Sequence, residues 1–189
     1  PTLPRVARWE WMIVGIALGF AFALGVSELS VTSLWHDELV HTYVGKSIAE
    51  TGVSQLPSGV PYRNGTTQNL IIAAMIKMFG LSEFSVRFPS VLFASVNVVL
   101  IFLLTRPLLG RNAAVVAAVA LALSPWAVAW SREARFYTLQ QTLYLTLLIS
   151  FWQCLERDTR RGRLRLSRMS WRCCRRFIRF FFSAAWGGM

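Results

Sequence analysis

Residues 88–105 read FPSVLFASVNVVLIFLLT, with no charged side chain in the run. A helix crosses a bilayer's hydrocarbon core with about 20 mostly apolar residues, and roughly 17 are enough. Three further uncharged blocks flank this one: 12–27 (MIVGIALGFAFALGVS), 112–131 (NAAVVAAVALALSPWAVAWS) and 136–155 (FYTLQQTLYLTLLISFWQCL). The first reaches spanning length with Trp9, Trp11 and Glu28 at its edges. Charged residues are 15% of the chain, against roughly 25% in soluble domains. A soluble core of this size has no use for four such blocks. A cleaved signal peptide would carry a shorter apolar run and a small-residue cleavage site before a polar mature domain, and the first block has neither feature. The predicted fold class is all-α integral membrane, with about four transmembrane helices near 9–28, 88–105, 112–131 and 136–155.

Charge sets the orientation. The formal net charge is +11, yet residues 155–189 alone hold ten arginines against Glu156 and Asp158. The basic excess therefore lies beside a membrane span, which argues for membrane lipids as partners and against nucleic acid. Lys and Arg in short loops mark the cytoplasmic side. Arg5 and Arg8 precede the first span, Arg106 and Arg111 bracket the turn between the second and third, and the arginine tail follows the fourth. The expectation is a cytoplasmic N-terminus, with 28–87 and 132–135 on the opposite face. Cys154, Cys173 and Cys174 lack metal-ligand spacing and leave the redox compartment open.

The long outer segment, 28–87, has structure of its own. Leu39, Val40, Tyr43, Val44 and Ile48 recur at helical spacing, and Gly52 stands where a helix C-terminus favours glycine. A turn-rich passage, 55–65, follows. Residues 70–79 are then apolar apart from Lys77, too short to span and too apolar for open water, so an interfacial or re-entrant helix is expected. Asn64-Gly65-Thr66 matches a glycosylation acceptor, a pattern short enough to arise often by chance.

Three groups on the outer face could carry chemistry. In Trp35-His36-Asp37-Glu38, with His41 after it, Asp37 and His41 lie one helical turn apart. A carboxylate at the membrane edge has a raised pKa, suited to proton abstraction or metal binding; the plainer role is capping a helix N-terminus. Next, Glu83 and Arg87 stand four residues apart just before Phe88-Pro89-Ser90, where an interfacial salt bridge with a proline at the helix start is expected. Last, Ser131-Arg132-Glu133-Ala134-Arg135-Phe136-Tyr137 puts two arginines in a short outer loop, against the positive-inside tendency. Bidentate capture of a phosphate would explain them; pairing with Glu133 or lipid headgroups is the alternative.

Taken in order and on one side of the membrane, these three motifs resemble the GT-C class of membrane glycosyltransferases. The likeness is greatest to the protein O-mannosyltransferase and lipid A aminoarabinose transferase superfamily, and runs from about Trp11 to Leu155. The resemblance implies transfer of a sugar from a polyprenyl-phosphate carrier to a protein, lipid or glycan acceptor at the outer face, usually with inversion. It implies Asp37 as the base that activates or orients the acceptor, Glu38 as its acidic partner, and Arg135 on the carrier phosphate with Tyr137 and Arg132 in support. Some members bind a divalent metal ion, for which His36 and His41, with Glu38, are the candidate ligands.

Family members are more than twice this long, so 1–155 reads as the N-terminal part of a GT-C fold. Residues 156–189 look unlike anything the family is expected to have at that point. They read as a lipid-binding cytoplasmic tail or, preferably, as unselected or out-of-frame sequence. A competing class, a non-enzymatic accessory subunit of a transporter or lipid-handling complex, accounts for the spans and tail. It does not account for acidic and arginine clusters gathered on the outer side.

Overall fold

A computed structural model describes residues 7–27, 29–31 and 33–160. Nearly all of the arginine-rich tail, with Cys173 and Cys174, lies outside the described residues, as do Arg5 and Glu28. The described chain is helical: α1 (Arg8–Val26), α2 (His36–Thr51), α3 (Thr66–Phe79), α4 (Glu83–Leu109), α5 (Arg111–Leu123), α6 (Pro125–Ser131) and α7 (Tyr137–Arg160). An isolated bridge between Gln55 and Pro61 closes the turn-rich passage.

Local chemistry sets the boundaries. Gly52 ends α2 at φ 76°, its N–H donating to the Ile48 carbonyl, as its position in the sequence predicted. At the start of α4, the Ser82 hydroxyl accepts from the Ser85 N–H while the Ser85 hydroxyl accepts from the Ser82 N–H. Helix α4 therefore begins before the apolar run, and Pro89 lies inside it rather than at its start.

Among the described residues two helices, α1 and α4, are long and apolar enough to cross a membrane. A third crossing exists if α5 and α6, bent by 57° at their junction, count as one. Length and composition thus support two or three of the about four spans expected. Helix α7, 24 residues long, has the length of a span but carries Gln140, Gln141, Thr142, Thr146, Ser150 and Gln153. Several of these groups are satisfied internally. The Thr142 hydroxyl donates to Asn97 Oδ1 (2.8 Å), and Asn97 Nδ2 donates to Gln141 Oε1 (3.1 Å) and the Thr138 carbonyl (3.2 Å), tying α7 to α4. Thr146 and Ser150 bond back to carbonyls one turn earlier.

Helix α4 is the hub, packing on α1, α5 and α7, while α2 and α3 form a pair beside its start. The larger core joins Val14, Ala17, Val98 and Phe102 to Ala114, Ala118 and Ala122. Those three alanines recur every fourth residue, giving α5 a flat stripe on which a neighbouring backbone can close up. Ile72, Val86 and Ala134 form a smaller cluster under α2 and α3. Leu70, Met78, Phe79 and Leu81 remain exposed beside Lys77, an apolar outward face.

Gly45 is where α2 meets α3. A Cβ there would lie 2.6 Å from Ile72 Cγ2 and 3.2 Å from Ile72 Cβ. Gly45→Ala is expected to destabilise the pair by roughly 1–3 kcal/mol, read as a lower Tm in detergent. An unchanged Tm would show the contact to be loose.

The charged residues gather at two opposite ends. At one, Arg106 Nε donates to Glu10 Oε2 at 2.8 Å, and Arg111 stands over Trp9 at 5.3 Å. At the other, Glu38, Arg87, Arg132, Ala134, Arg135 and Asp37 meet.

Candidate functional site

The second end is organised by a buried ion pair. Arg87 Nε donates to Glu38 Oε1 (3.0 Å) and Nη2 to Oε2 (2.8 Å), with both side chains almost wholly enclosed. The Ala134 N–H donates to Oε1 at 2.7 Å and the Trp35 N–H to Oε2 at 3.0 Å. Arg87 also donates to the Leu29 and Ser33 carbonyls. One carboxylate therefore pins α2, α4 and the loop before α7 together. Burial pushes the Glu38 carboxyl up, but the Arg87 guanidinium and the Ala134 and Trp35 N–H groups outweigh it and hold the group below the ordinary carboxylate range. The expected Glu83–Arg87 bridge is corrected: Arg87 turns to Glu38, whose buried charge needs a cation, while Glu83 stays at the helix start, where the dipole favours an acid. The capping role weighed for the acidic pair is real for Glu38, through Trp35.

Successive helical residues point about 100° apart, so burying Glu38 turns Asp37 outward. The Asp37 side chain is 60% exposed, and its Oδ2 lies 3.1 Å from Arg135 Nη2. Both line a cavity of about 340 Å³ with His41, Tyr62, Asn64, Gly65, Phe136 and Gln140, within the roughly 300–1,000 Å³ usual for small-molecule sites. The Arg135 guanidinium also stands 4.7 Å over the Tyr137 ring, and its Nε is buried without a hydrogen-bond partner. In the absence of a carrier, Arg135 pairs with a protein carboxylate. Glu133 was the rival weighed, but Asp37 is the partner, because the start of α2 and the start of α7 converge. Burial, then the Glu38 charge, push the Glu133 carboxyl up.

Arg132 turns away from the cavity. Its Nε and Nη2 donate to the Leu24 carbonyl (3.1 and 2.8 Å) and Nη2 to the Ser27 hydroxyl (2.8 Å). It thus holds the C-terminal end of α1, where free carbonyls attract a cation.

The histidines do not converge. His36 is exposed, and five helical residues turn it about 140° from His41. His41 is buried, its Nδ1 2.8 Å from Asn69 Oδ1. Burial lowers the His41 pKa and the Arg135 charge adds to this, against the Asn69 bond and Asp37. Among the described residues no group of three His, Cys, Asp or Glu side chains could hold a metal ion. With Glu38 committed to Arg87, the donors expected for a divalent metal do not fit one.

Asn69, Tyr62, Asn64 and Gln140 were missed in the sequence. Asn69 had a signal: an amide in the stretch leading into the apolar run of α3, and it proves fully buried. Tyr62 stands edge-on to His41 at 6.0 Å. Burial raises its pKa, with a bond to the Asn64 side chain opposing the shift. Gly65, at φ 62°, passes so close that a Cβ would lie 3.2 Å from His41 Cε1. An exposed carboxylate, a guanidinium with a free donor, and aromatic walls suit a ligand that is part anion and part polyol.

No curated protein matches the chain, and no solved structure does. The model of the family described as dolichyl-phosphate-mannose-protein mannosyltransferase matches residues 66–166, more than half of the sequence. The match takes in Arg87, Arg132, Arg135 and Tyr137, and begins after Asp37, Glu38 and His41, which the helical packing carries to the same place. With all-helical architecture and membrane-length apolar helices, the chain belongs to this mannosyltransferase family of membrane glycosyltransferases.

Proposed function

We propose that the protein transfers a sugar from a polyprenyl-phosphate carrier to an acceptor hydroxyl at the extracytoplasmic face of a bacterial inner membrane, with its N-terminus in the cytoplasm. The observation that supports this best is the Asp37–Arg135 pair on the wall of one cavity. It sets a carboxylate beside a guanidinium at the end of the helices opposite Arg106 and Arg111.

In this reading the carrier phosphate draws Arg135 off Asp37 as the sugar enters between them. Asp37 takes the acceptor's proton while the acceptor oxygen attacks the anomeric carbon from the face opposite the phosphate. The carbon–oxygen bond to the phosphate breaks, and the polyprenyl phosphate leaves with its new negative charge against Arg135. A preplaced guanidinium stabilises that charge without reorganising. Arginine does this through two parallel hydrogen bonds. Glu38 acts through Arg87 and Ala134 as a positioning residue, and Tyr137 supports the guanidinium plane. Arg132 serves the site at one remove, by tying α1 to the loop that bears Arg135.

The test is release of polyprenyl phosphate from polyprenyl-phosphate mannose by the purified protein in nanodiscs with a membrane-extract acceptor. Release by wild type and its loss in Asp37→Asn supports the reading; equal release by both contradicts it. Topology has its own test. Cysteines placed at the exposed positions Arg63 and Leu109 are expected to react with an impermeant reagent from opposite sides of intact vesicles. Reaction of both from one side would defeat the arrangement.

A further inference from the structure

Asn69 fixes the proton on His41. The Asn69 Nδ2 donates to the Asn64 carbonyl at 3.0 Å, so its Oδ1 is the atom that faces His41 Nδ1, 2.8 Å away. Flipping the amide would set two carbonyl oxygens against each other. An amide oxygen can only accept, so Nδ1 must carry the hydrogen. The ring is 4% exposed and makes no other hydrogen bond among the described residues. Tyr62 and Phe136 clasp it edge-on at 6.0 and 5.9 Å, and Gly65 leaves room for it. On a ring that lines the cavity, Nε2 is the edge left for a ligand.

We propose that His41 is held as the Nδ1–H tautomer and offers Nε2 as a hydrogen-bond acceptor to a hydroxyl of the transferred sugar, making it a specificity-determining residue one turn from Asp37. This rests on the proposed transfer reaction. Asp37 and Arg135 supply an acceptor and a cation to the cavity; His41 adds a neutral acceptor, fixed in direction, between aromatic walls. That arrangement recognises a hydroxyl and offers nothing to a phosphate. The environment favours the neutral ring, since burial and the Arg135 charge both disfavour the imidazolium, with Asp37 opposing.

Two measurements on the purified protein in nanodiscs test the proposal. Side-chain ¹⁵N NMR, with His41 assigned through His41→Gln, is expected to show a protonated Nδ1 and an unprotonated Nε2 at neutral pH; the opposite tautomer overturns the proposal. The second compares affinities for polyprenyl-phosphate mannose and for bare polyprenyl phosphate. His41→Phe keeps an aromatic ring between Tyr62 and Phe136 but has no acceptor, and is expected to weaken the mannosyl carrier roughly 3- to 10-fold. Bare carrier should bind as before. His41→Gln can place an amide oxygen near the Nε2 position and should recover part of the loss. A thermal scan of each variant confirms folding. Equal weakening toward both carriers, or weakening toward neither, overturns the role of His41 while the transfer reaction stands. Absence of any carrier binding by wild type overturns both readings.

Discussion

Asp37→Asn is expected to lower sugar transfer by about 10²- to 10⁴-fold, the usual cost of removing a positioned base. Carrier binding should survive. Asparagine keeps the shape of the side chain but does not take the acceptor's proton. It also ends the ion pair that occupies Arg135 at 3.1 Å, so the bare carrier phosphate should bind the variant at least as tightly as wild type. That second outcome separates a base from a structural carboxylate, whose loss would weaken binding and stability together. The side chain is 60% exposed and accepts from no buried backbone donor, so its replacement costs the fold little. The check is single-turnover transfer at saturating carrier beside equilibrium carrier binding. Near-normal turnover in the variant removes Asp37 from the base role.

Its neighbour should behave in the opposite way. Glu38→Gln and Arg87→Met each leave one member of an enclosed pair without its counter-charge, a change that typically costs about 3–5 kcal/mol. Both variants are expected to show a large loss of Tm in detergent and, where they fold, impaired transfer. The double change Glu38→Leu with Arg87→Met removes both charges and should recover stability relative to Arg87→Met alone. The Ala134 N–H, left without its acceptor at 2.7 Å, keeps that recovery partial. Acid should act like the mutation. The folded carboxyl sits below its ordinary pKa, so its contribution is present above the ordinary carboxylate range and disappears as the pH falls through the folded value. Stability that is flat with acidification to that point would mean the pair contributes nothing.

The membrane character was legible because hydrocarbon thickness sets a length that can be counted along a chain. The residues at the outer end were legible because charges beside apolar blocks are costly and therefore few. Partner choice was not. Glu83 and Arg87 satisfy the four-residue spacing of a helical pair, but that rule knows nothing of Glu38, 49 residues earlier in the chain. Burial of Glu38 decides the matter, and burial follows from how α2 docks on α4. The same docking brings Asp37 to Arg135, where the loop alone offers Glu133 as the protein carboxylate. Helix α7 is expected to span from its lack of charge. Its glutamines, threonines and serine lower its hydropathy, and Thr142 and Gln141 find partners on Asn97 of α4. The histidines were grouped by nearness in sequence, yet one lies on an exposed face and the other beneath Asn69.

The central claim is that Arg135 exchanges a protein carboxylate for the phosphate of the carrier. It is tested most directly by the affinity of the protein in nanodiscs for polyprenyl phosphate, compared among wild type, Arg135→Lys and Glu133→Gln with a thermal scan of each. Lysine keeps the charge but not the paired donors. Weakened binding in a well-folded Arg135→Lys protein, with a smaller effect in Glu133→Gln, is the predicted result. Unchanged affinity in Arg135→Lys, or an equal defect in Glu133→Gln, would contradict it.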